Sequence, residues 1–478
     1  MSAIKIGNRR ELFVDTCLID KMDGAFLKLH EPIPVGKVLE IDKPWEGGAN
    51  FGHAVVRSGD KYLMYYRAMH VDTSVDPETH TCVALSDDGI NWEKPSLQEG
   101  GTNFVELCCF CDEREGVDEN EKFKGFRSEA VSGEKHTPNK APTGAMRLVF
   151  YASPDGLNFH KMNPQPELVS ELPNSFDGGN TMFWSEEEQQ YVLYYRYSVK
   201  LRTDRNAPNV TWHRSVARMT SKDFYNWSKP QRMMYNEPSE QIYINNTAPY
   251  PRAPHIYLGV AARFCETYAP MSDARAKELP FETGDENIWK SFTNDCSDGV
   301  LLTSRAGSNY YDRTFMETFL RPGLSDSDWV TRSNYPLCGF VQYSDSEMLM
   351  YVNRSYLQKS WYIECLKLRT DGFASASAHW NGGTLTTKPL IFEGRELEIN
   401  YRTGASGYIK VELLNEDGYV IPGLHADMCE RIVGNEIRRV VKWRRDSNVD
   451  YALCHLAGKP VRIKFYLKDA DLFSFKFN

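Results

Sequence analysis

The sequence predicts an all-β protein: a five-bladed β-propeller followed by a C-terminal β-sandwich. Three observations carry that expectation. Of the 478 residues, 13% are aromatic, alongside 33 Gly and 24 Pro, a mixture that suits short strands and tight turns. A hairpin phrase recurs along most of the chain at a long period. From about residue 376 the text changes to alternating strands at short spacing.

The hairpin phrase reads Ser86-Asp87-Asp88-Gly89-Ile90-Asn91-Trp92, then Ser153-Pro154-Asp155-Gly156-Leu157-Asn158-Phe159, then Ser221-Lys222-Asp223-Phe224-Tyr225-Asn226-Trp227. Degenerate copies follow at Ser304-Arg305-Ala306-Gly307 and Arg369-Thr370-Asp371-Gly372. The period is roughly 65 to 70 residues, stretched once to about 83, which is too long for a solenoid turn and right for one large propeller blade. Asp-Gly provides a tight turn, with positive φ tolerated at Gly, and the aromatic that follows packs on the sheet below. Strand phrases rich in aromatic and β-branched residues accompany the turns: Tyr62 to Arg67, Leu148 to Tyr151, Tyr191 to Arg196, Ile256 to Val260 and Met348 to Val352.

These signals divide the chain into a closing or packing segment over 1–34, a five-bladed propeller over 35–375 and a sandwich over 376–478. The sandwich strands are read at Thr384 to Phe392, Glu396 to Tyr401, Tyr408 to Leu413, Arg438 to Trp443 and Val461 to Leu467. The best helical candidate is one short stretch, Ser272 to Leu279.

A net charge of -9 argues against nucleic acid as a partner, because phosphate binding needs a positive surplus on some face. No run of about 18 apolar residues offers a membrane span. The start lacks an apolar signal core, and the expectation is a cytoplasmic or periplasmic protein. The 11 Cys are odd in number and scattered. Cys108-Cys109-Phe110-Cys111 has no second ligand group at metal-binding spacing, so neither a metal nor another cofactor is expected.

Inner strands of a propeller converge on a central funnel, so the residues at the start of each blade's first strand meet there. These are Trp45 to His53, Arg127 to Glu129, Asp177 to Asn180, Glu240 to Asn246, and Leu337 to Gly339. Carboxylates recur at four of the five, as glycoside hydrolysis by a protonated acid and an ionised base requires. We expect Asp177 and Glu240 as the acid/base pair, with Glu46 or Glu129 tuning the acid. Arg67 and Arg196 occupy equivalent ends of second strands, and Arg263 and Arg313 fall in blade four. Gathered at a funnel, guanidinium groups bind a carboxylate or sulfate on a sugar through paired hydrogen bonds. His53, Tyr66, Asn180 and Asn246 complete the expected sugar-binding set.

The repeats followed by a sandwich resemble the five-bladed propeller glycoside hydrolases, the superfamily of invertases and arabinanases. More narrowly, Glu11 to Asp20, Lys43 to Gly47, Ser304-Arg305 with Tyr311 to Thr314, and Thr384 to Asn400 resemble a bacterial glycosidase-like group. The resemblance implies a carbohydrate-active protein. The invertase motifs are absent in register, and the order Glu46, Glu129, Asp177, Glu240 departs from the Asp, Asp, Glu order of arabinanases. The expectation is a glycosidase that cleaves an oligosaccharide or polysaccharide fragment, uronate- or sulfate-bearing sugars among the candidates. The alternatives are a lyase or dehydratase on a uronic acid sugar, in which Arg neutralises the carboxylate and a Tyr or His takes the α-proton, and a noncatalytic sugar-binding propeller.

Overall fold

In the computed structural model, residues 3–70, 78–133, 144–202, 210–236, 240–266, 268–282, 287–444 and 453–478 are described. Five antiparallel sheets follow one another around an axis as a five-bladed β-propeller. The inner strand of each blade runs away from one face of the disc and the second strand returns to it. Blade one begins Phe51–Ser58 then Lys61–Met69; blade two, Cys109–Cys111 then Phe123–Ala130; blade three, Thr181–Ser185 then Gln190–Arg202. Blade four has an inner strand interrupted between Gln241–Ile244 and Ala248–Tyr250, followed by Ala253–Cys265. Blade five has Val341–Gln342, Glu347–Arg354 and Tyr362–Arg369. The N-terminal strand Ile33–Glu40 pairs antiparallel with Tyr362–Arg369 and becomes the outer strand of blade five. The ring is closed by strands distant in sequence, which removes a free sheet edge. At the centre, blades one and five touch through a parallel bridge between Ala54 and Cys338.

The repeated hairpin phrase has a structural purpose. Asp88 Oδ1 accepts from the Ile90 and Asn91 N–H groups, both at 2.8 Å, and Trp92 Nε1 donates to Gly89 O at 3.0 Å. Asp155 and Asp223 repeat the same bonds. Each of the first two turns then receives a tyrosine hydroxyl from the neighbouring blade: Tyr351 donates to Gly89 O and Tyr65 to Gly156 O, both at 2.7 Å. A Cβ on Gly89 would lie 2.7 Å from the Tyr351 oxygen. Gly is therefore needed there for contact as well as for its φ of 77°. The third copy carries Phe224 at φ 71°, and its ring packs on Phe150 of blade two at 5.2 Å.

Much of the aromatic content thus lies between blades. Tyr65 and Phe123 fill the gap between blades one and two; Phe150, Tyr191 and Tyr195 lie between two and three. Phe183, Tyr194 and Tyr257 fill that between three and four, and Tyr66, Tyr351 and Trp361 that between five and one.

The C-terminal unit is one ten-stranded sheet around its own core. Its two long strands, Leu397–Asn415 and Pro460–Phe477, pair antiparallel, with a register shift between Thr403 and Tyr408. The N-terminal strands Ile4–Gly7, Glu11–Leu12, Ile19–Asp23 and Ala25–Leu29 join this sheet.

Two buried carboxylates bind the units together. Asp371 accepts from Tyr250, Arg252 and Ser474 at 2.7–2.8 Å. Glu11 receives His255 at 3.0 Å and Arg305 at 2.8 Å. Burial opposes the charge on Glu11, but the hydrogen bond from His255 and the charge of Arg305 outweigh it and bring its carboxyl down to about 2. A depressed carboxyl contributes stability above its unfolded value of 4.5, and that contribution is lost as pH falls toward 2. Glu11→Gln is therefore expected to lower stability at neutral pH by at most about 3 kcal/mol. It should also flatten the loss of stability between those two pH values, as read by denaturant titration at several pH values.

Candidate active site

The inner-strand starts and second-strand ends meet at one face of the propeller. Register places Phe51 opposite Arg67 and Ile242 opposite Arg263. Arg354 ends and Arg127 lies near the end of the second strands of blades five and two, and Arg196 lies within the longer second strand of blade three, two residues past its last pair with the inner strand. An arginine therefore stands near this face in every blade. Three of the five are spent on structure. Arg127 pairs with Glu106 at the surface, Arg263 grips Asp298, and Arg354 holds Glu364.

The other two, Arg67 and Arg196, join Arg214 and Arg332 around a cluster of tyrosines. Arg196, Arg214 and Arg332 lie 4.6, 4.8 and 5.9 Å from the centre of the Tyr243 ring. Arg67 Nη2 and Arg332 Nη1 both donate to the Tyr356 hydroxyl at 3.1 Å. Tyr335 packs on Tyr243 with ring centres 5.1 Å apart. Arg196 is buried, yet its Nε and Nη1 make no hydrogen bond among the described residues. Its third nitrogen, Nη2, pairs with the Asp177 carboxylate, so two of its donors are left for a further polar partner. The backbone is bent to build the site: Asn246, Arg332 and Asn334 all sit at positive φ, between 48° and 64°, which costs about 1–3 kcal/mol each and persists where surrounding structure imposes it.

The arginine field divides the tyrosines. Burial alone would raise the Tyr243 phenol, but Arg332, Arg196 and Arg214 overcome it and bring it down to about 7. Burial likewise opposes ionisation of Tyr356, and Arg67 and Arg332 outweigh it, so that phenol is also lowered. Tyr335 is pushed well above its ordinary range by burial and by the neighbouring Tyr243. Burial and the charge of Arg67 bring His53 down to about 4, leaving its ring neutral at physiological pH. The Tyr335 hydroxyl is fully buried, so of these two adjacent phenols Tyr243 is the one placed to exchange a proton near neutrality.

A central cavity of about 490 Å³ is lined from the inner strands of blades one to four and by Cys338 ahead of the fifth, with Phe51, His53, Cys108, Asn180 and Asn246 among its walls; the arginine and tyrosine cluster lies beside it and does not line it. Asn180 accepts the Arg196 N–H, and Asn246 donates to the carbonyls of Val260 and Pro336. Asp177 pairs with Arg196 and its side chain remains 45% exposed, beside Gly178 on the cavity wall. The blade-four excursion between the second and third strands folds over this face. Its helix Asp273–Lys277 is capped by Ser272, Phe281 bridges to Gln358, and Glu282 accepts from Gly48 N–H. Helix Ile288–Phe292 brings the Phe292 ring to 6.2 Å from Tyr356.

The carboxylates expected from sequence are not gathered here, with the exception of Asp177. Glu46 is buried under blade one and saturated: it accepts from Tyr66 at 2.6 Å, Lys94 at 2.8 Å, and the Asp42 and Lys43 N–H groups. Tyr66 is occupied in that network and stacks on Trp361; neither residue lines the cavity. Glu129 lies on an exposed strand end, paired with Arg147 at 3.2 Å. Glu240 is clamped by Arg263 at 2.9 Å and by Arg313 at 2.8 and 3.0 Å. Burial opposes its charge, but the two arginines lower its carboxyl below the usual range, the reverse of what a general acid needs. Arg263 and Arg313 are consumed in this clamp. The sequence reading passed over Tyr243, Arg214, Arg332, Tyr335 and Tyr356. Tyr243 lies three residues after Glu240 in a stretch already singled out, and Arg332 and Tyr335 lie just ahead of Leu337.

No family model matches the chain. No curated protein matches it either. Some solved structures are similar to it at low identity. One belongs to the GH130 family of mannoside phosphorylases, which contains glycoside hydrolases that target β-1,2 mannosidic linkages in Candida mannan; at 13% identity and a TM-score of 0.40 it covers 73% of this chain and 96% of its own. An N-acetylgalactosamine deacetylase from F. plautii, in complex with blood group B trisaccharide, shows 11% identity and a TM-score of 0.42 over 72% of this chain and 95% of its own. A GH32 β-fructofuranosidase from Bombyx mori shows 10% identity and a TM-score of 0.40 over 92% and 94%.

Proposed function

We propose that this protein is a carbohydrate-active enzyme that cleaves the glycosidic bond of an oligosaccharide at an anionic sugar, by elimination next to a uronate carboxylate. The observation that supports this is the phenol of Tyr243 set among Arg196, Arg214 and Arg332, with Tyr335 packed against it. Elimination needs three things: neutralisation of the carboxylate, a base for the α-proton, and a proton for the departing oxygen. The arginines pair with the carboxylate and stabilise the charge that moves onto it. Tyr243, ionised near neutral pH, takes the α-proton. The proton for the glycosidic oxygen comes from water as that bond breaks, because the Tyr335 hydroxyl is fully buried. The products are an unsaturated uronide and a new sugar hydroxyl.

A second reading, hydrolysis, is favoured by the exposed carboxyl of Asp177 at the rim. There Asp177, paired with Arg196 as a carboxylate, is the base for water. Product analysis on uronate-containing oligosaccharides separates the two: elimination gives an ultraviolet-absorbing unsaturated end, and hydrolysis gives a reducing end without one. A protein that binds these sugars and produces neither is a noncatalytic propeller.

A further inference from the structure

The blade-four excursion that covers the arginine and tyrosine cluster leaves the sheet at Cys265 and returns to it at Cys296. These two residues end their strands directly opposite one another in the antiparallel pair Ala253–Cys265 with Cys296–Arg305. Directly opposed residues in such a pair have Cα atoms about 4.5–5.5 Å apart, inside the span of about 4.4–6.8 Å that a disulfide bridges. Both side chains are free thiols. Both line a cleft of about 300 Å³ with Ser297, Asp298, Arg321 and Trp329, so a small thiol reagent can reach them.

We propose that Cys265 and Cys296 are a paired thiol modification site, oxidised by a low-molecular-weight disulfide of the glutathione class to a cross-strand disulfide that fastens the base of the excursion over the candidate active site. The Cys265 thiolate attacks one sulfur of the oxidant and releases one glutathione thiolate. The Cys296 thiolate then attacks the Cys265 sulfur of the mixed disulfide, forms the S–S bond and releases the second. Two electrons pass from the protein to the oxidant, and the two thiol protons end on the two glutathione molecules.

The chemistry distinguishes Cys265 from the rest, while its partner Cys296 is raised by their interaction and by burial. The hydrogen bond from Cys296 and the nearby Arg263 lower the Cys265 thiol despite burial, and it is the thiolate that attacks. Burial raises the thiols of Cys108, Cys109, Cys111, Cys338, Cys82, Cys365 and Cys429. Closing the pair covalently links the two ends of the stretch that carries Phe281, Glu282 and Phe292 to blades one and five.

The test uses the full chain, incubated with oxidised and reduced glutathione, quenched with iodoacetamide and mapped by peptide mass spectrometry. The expected result is a peptide joining Cys265 to Cys296, lighter by two hydrogen atoms, while the exposed Cys454 remains alkylated. In Cys296→Ser the resolving thiol is gone, and Cys265 should accumulate as a glutathione mixed disulfide. Recovery of both cysteines alkylated across the redox series would overturn the proposal, as would a cross-link from Cys265 to any other cysteine.

Discussion

Tyr243→Phe is expected to lower turnover by about 10²–10⁴-fold, the usual contribution of a positioned proton-transfer group, with far-ultraviolet circular dichroism unchanged. The substitution removes one oxygen and leaves the ring against Tyr335 and the arginines, so packing is conserved. The wild-type pH profile should follow the phenol. Tyr243 acts as a base only when ionised, so kcat/KM rises with pH through about 7 and levels off above it. Arg332 is the foremost of the three guanidinium groups that favour the phenolate. Arg332→Met therefore raises the phenol's titration point and moves the rising limb of the profile to higher pH. A residue that only packed would change the height of the curve and leave its midpoint in place.

Glu240→Gln gives the opposite pattern. Removing this charge leaves Arg313, fully buried, and Arg263 without the carboxylate that both now share. Breaking a buried pair from one side costs about 3–5 kcal/mol, which should appear as a lower denaturant midpoint. Turnover per folded molecule is retained, because both Glu240 oxygens are taken up by Arg263 and Arg313. A stable variant with no activity would restore Glu240 to a catalytic role.

The contrast between these two residues shows what could be read from the chain. The propeller was legible because its turns are local. Asp88, Asp155 and Asp223 bond residues two and three positions ahead, so the phrase is written contiguously and repeats. The N-terminal segment was harder to place, since Ile33–Glu40 pairs with a strand more than 300 residues away, and no local pattern marks such a partnership. Inner-strand starts do converge on one face of the propeller. What residue type does not state is what surrounds a side chain. Glu46 and Glu240 look like catalytic acids in sequence, yet Tyr66, Lys94, Arg263 and Arg313 saturate them. Tyr243 looks like one more aromatic among 26 tyrosines. Its character comes from Arg196, Arg214 and Arg332, which lie 47, 29 and 89 residues away in the chain and are brought to one ring only by closure of the propeller.

The central claim, that the arginines make one phenol titrate near neutrality, is tested most directly by an ultraviolet difference titration of the wild-type protein against Tyr243→Phe. The account predicts that one tyrosine ionises with a midpoint near 7 in the wild type and that this step is missing from the variant. If the two proteins superimpose, with no tyrosine ionising below about 9, the account is contradicted.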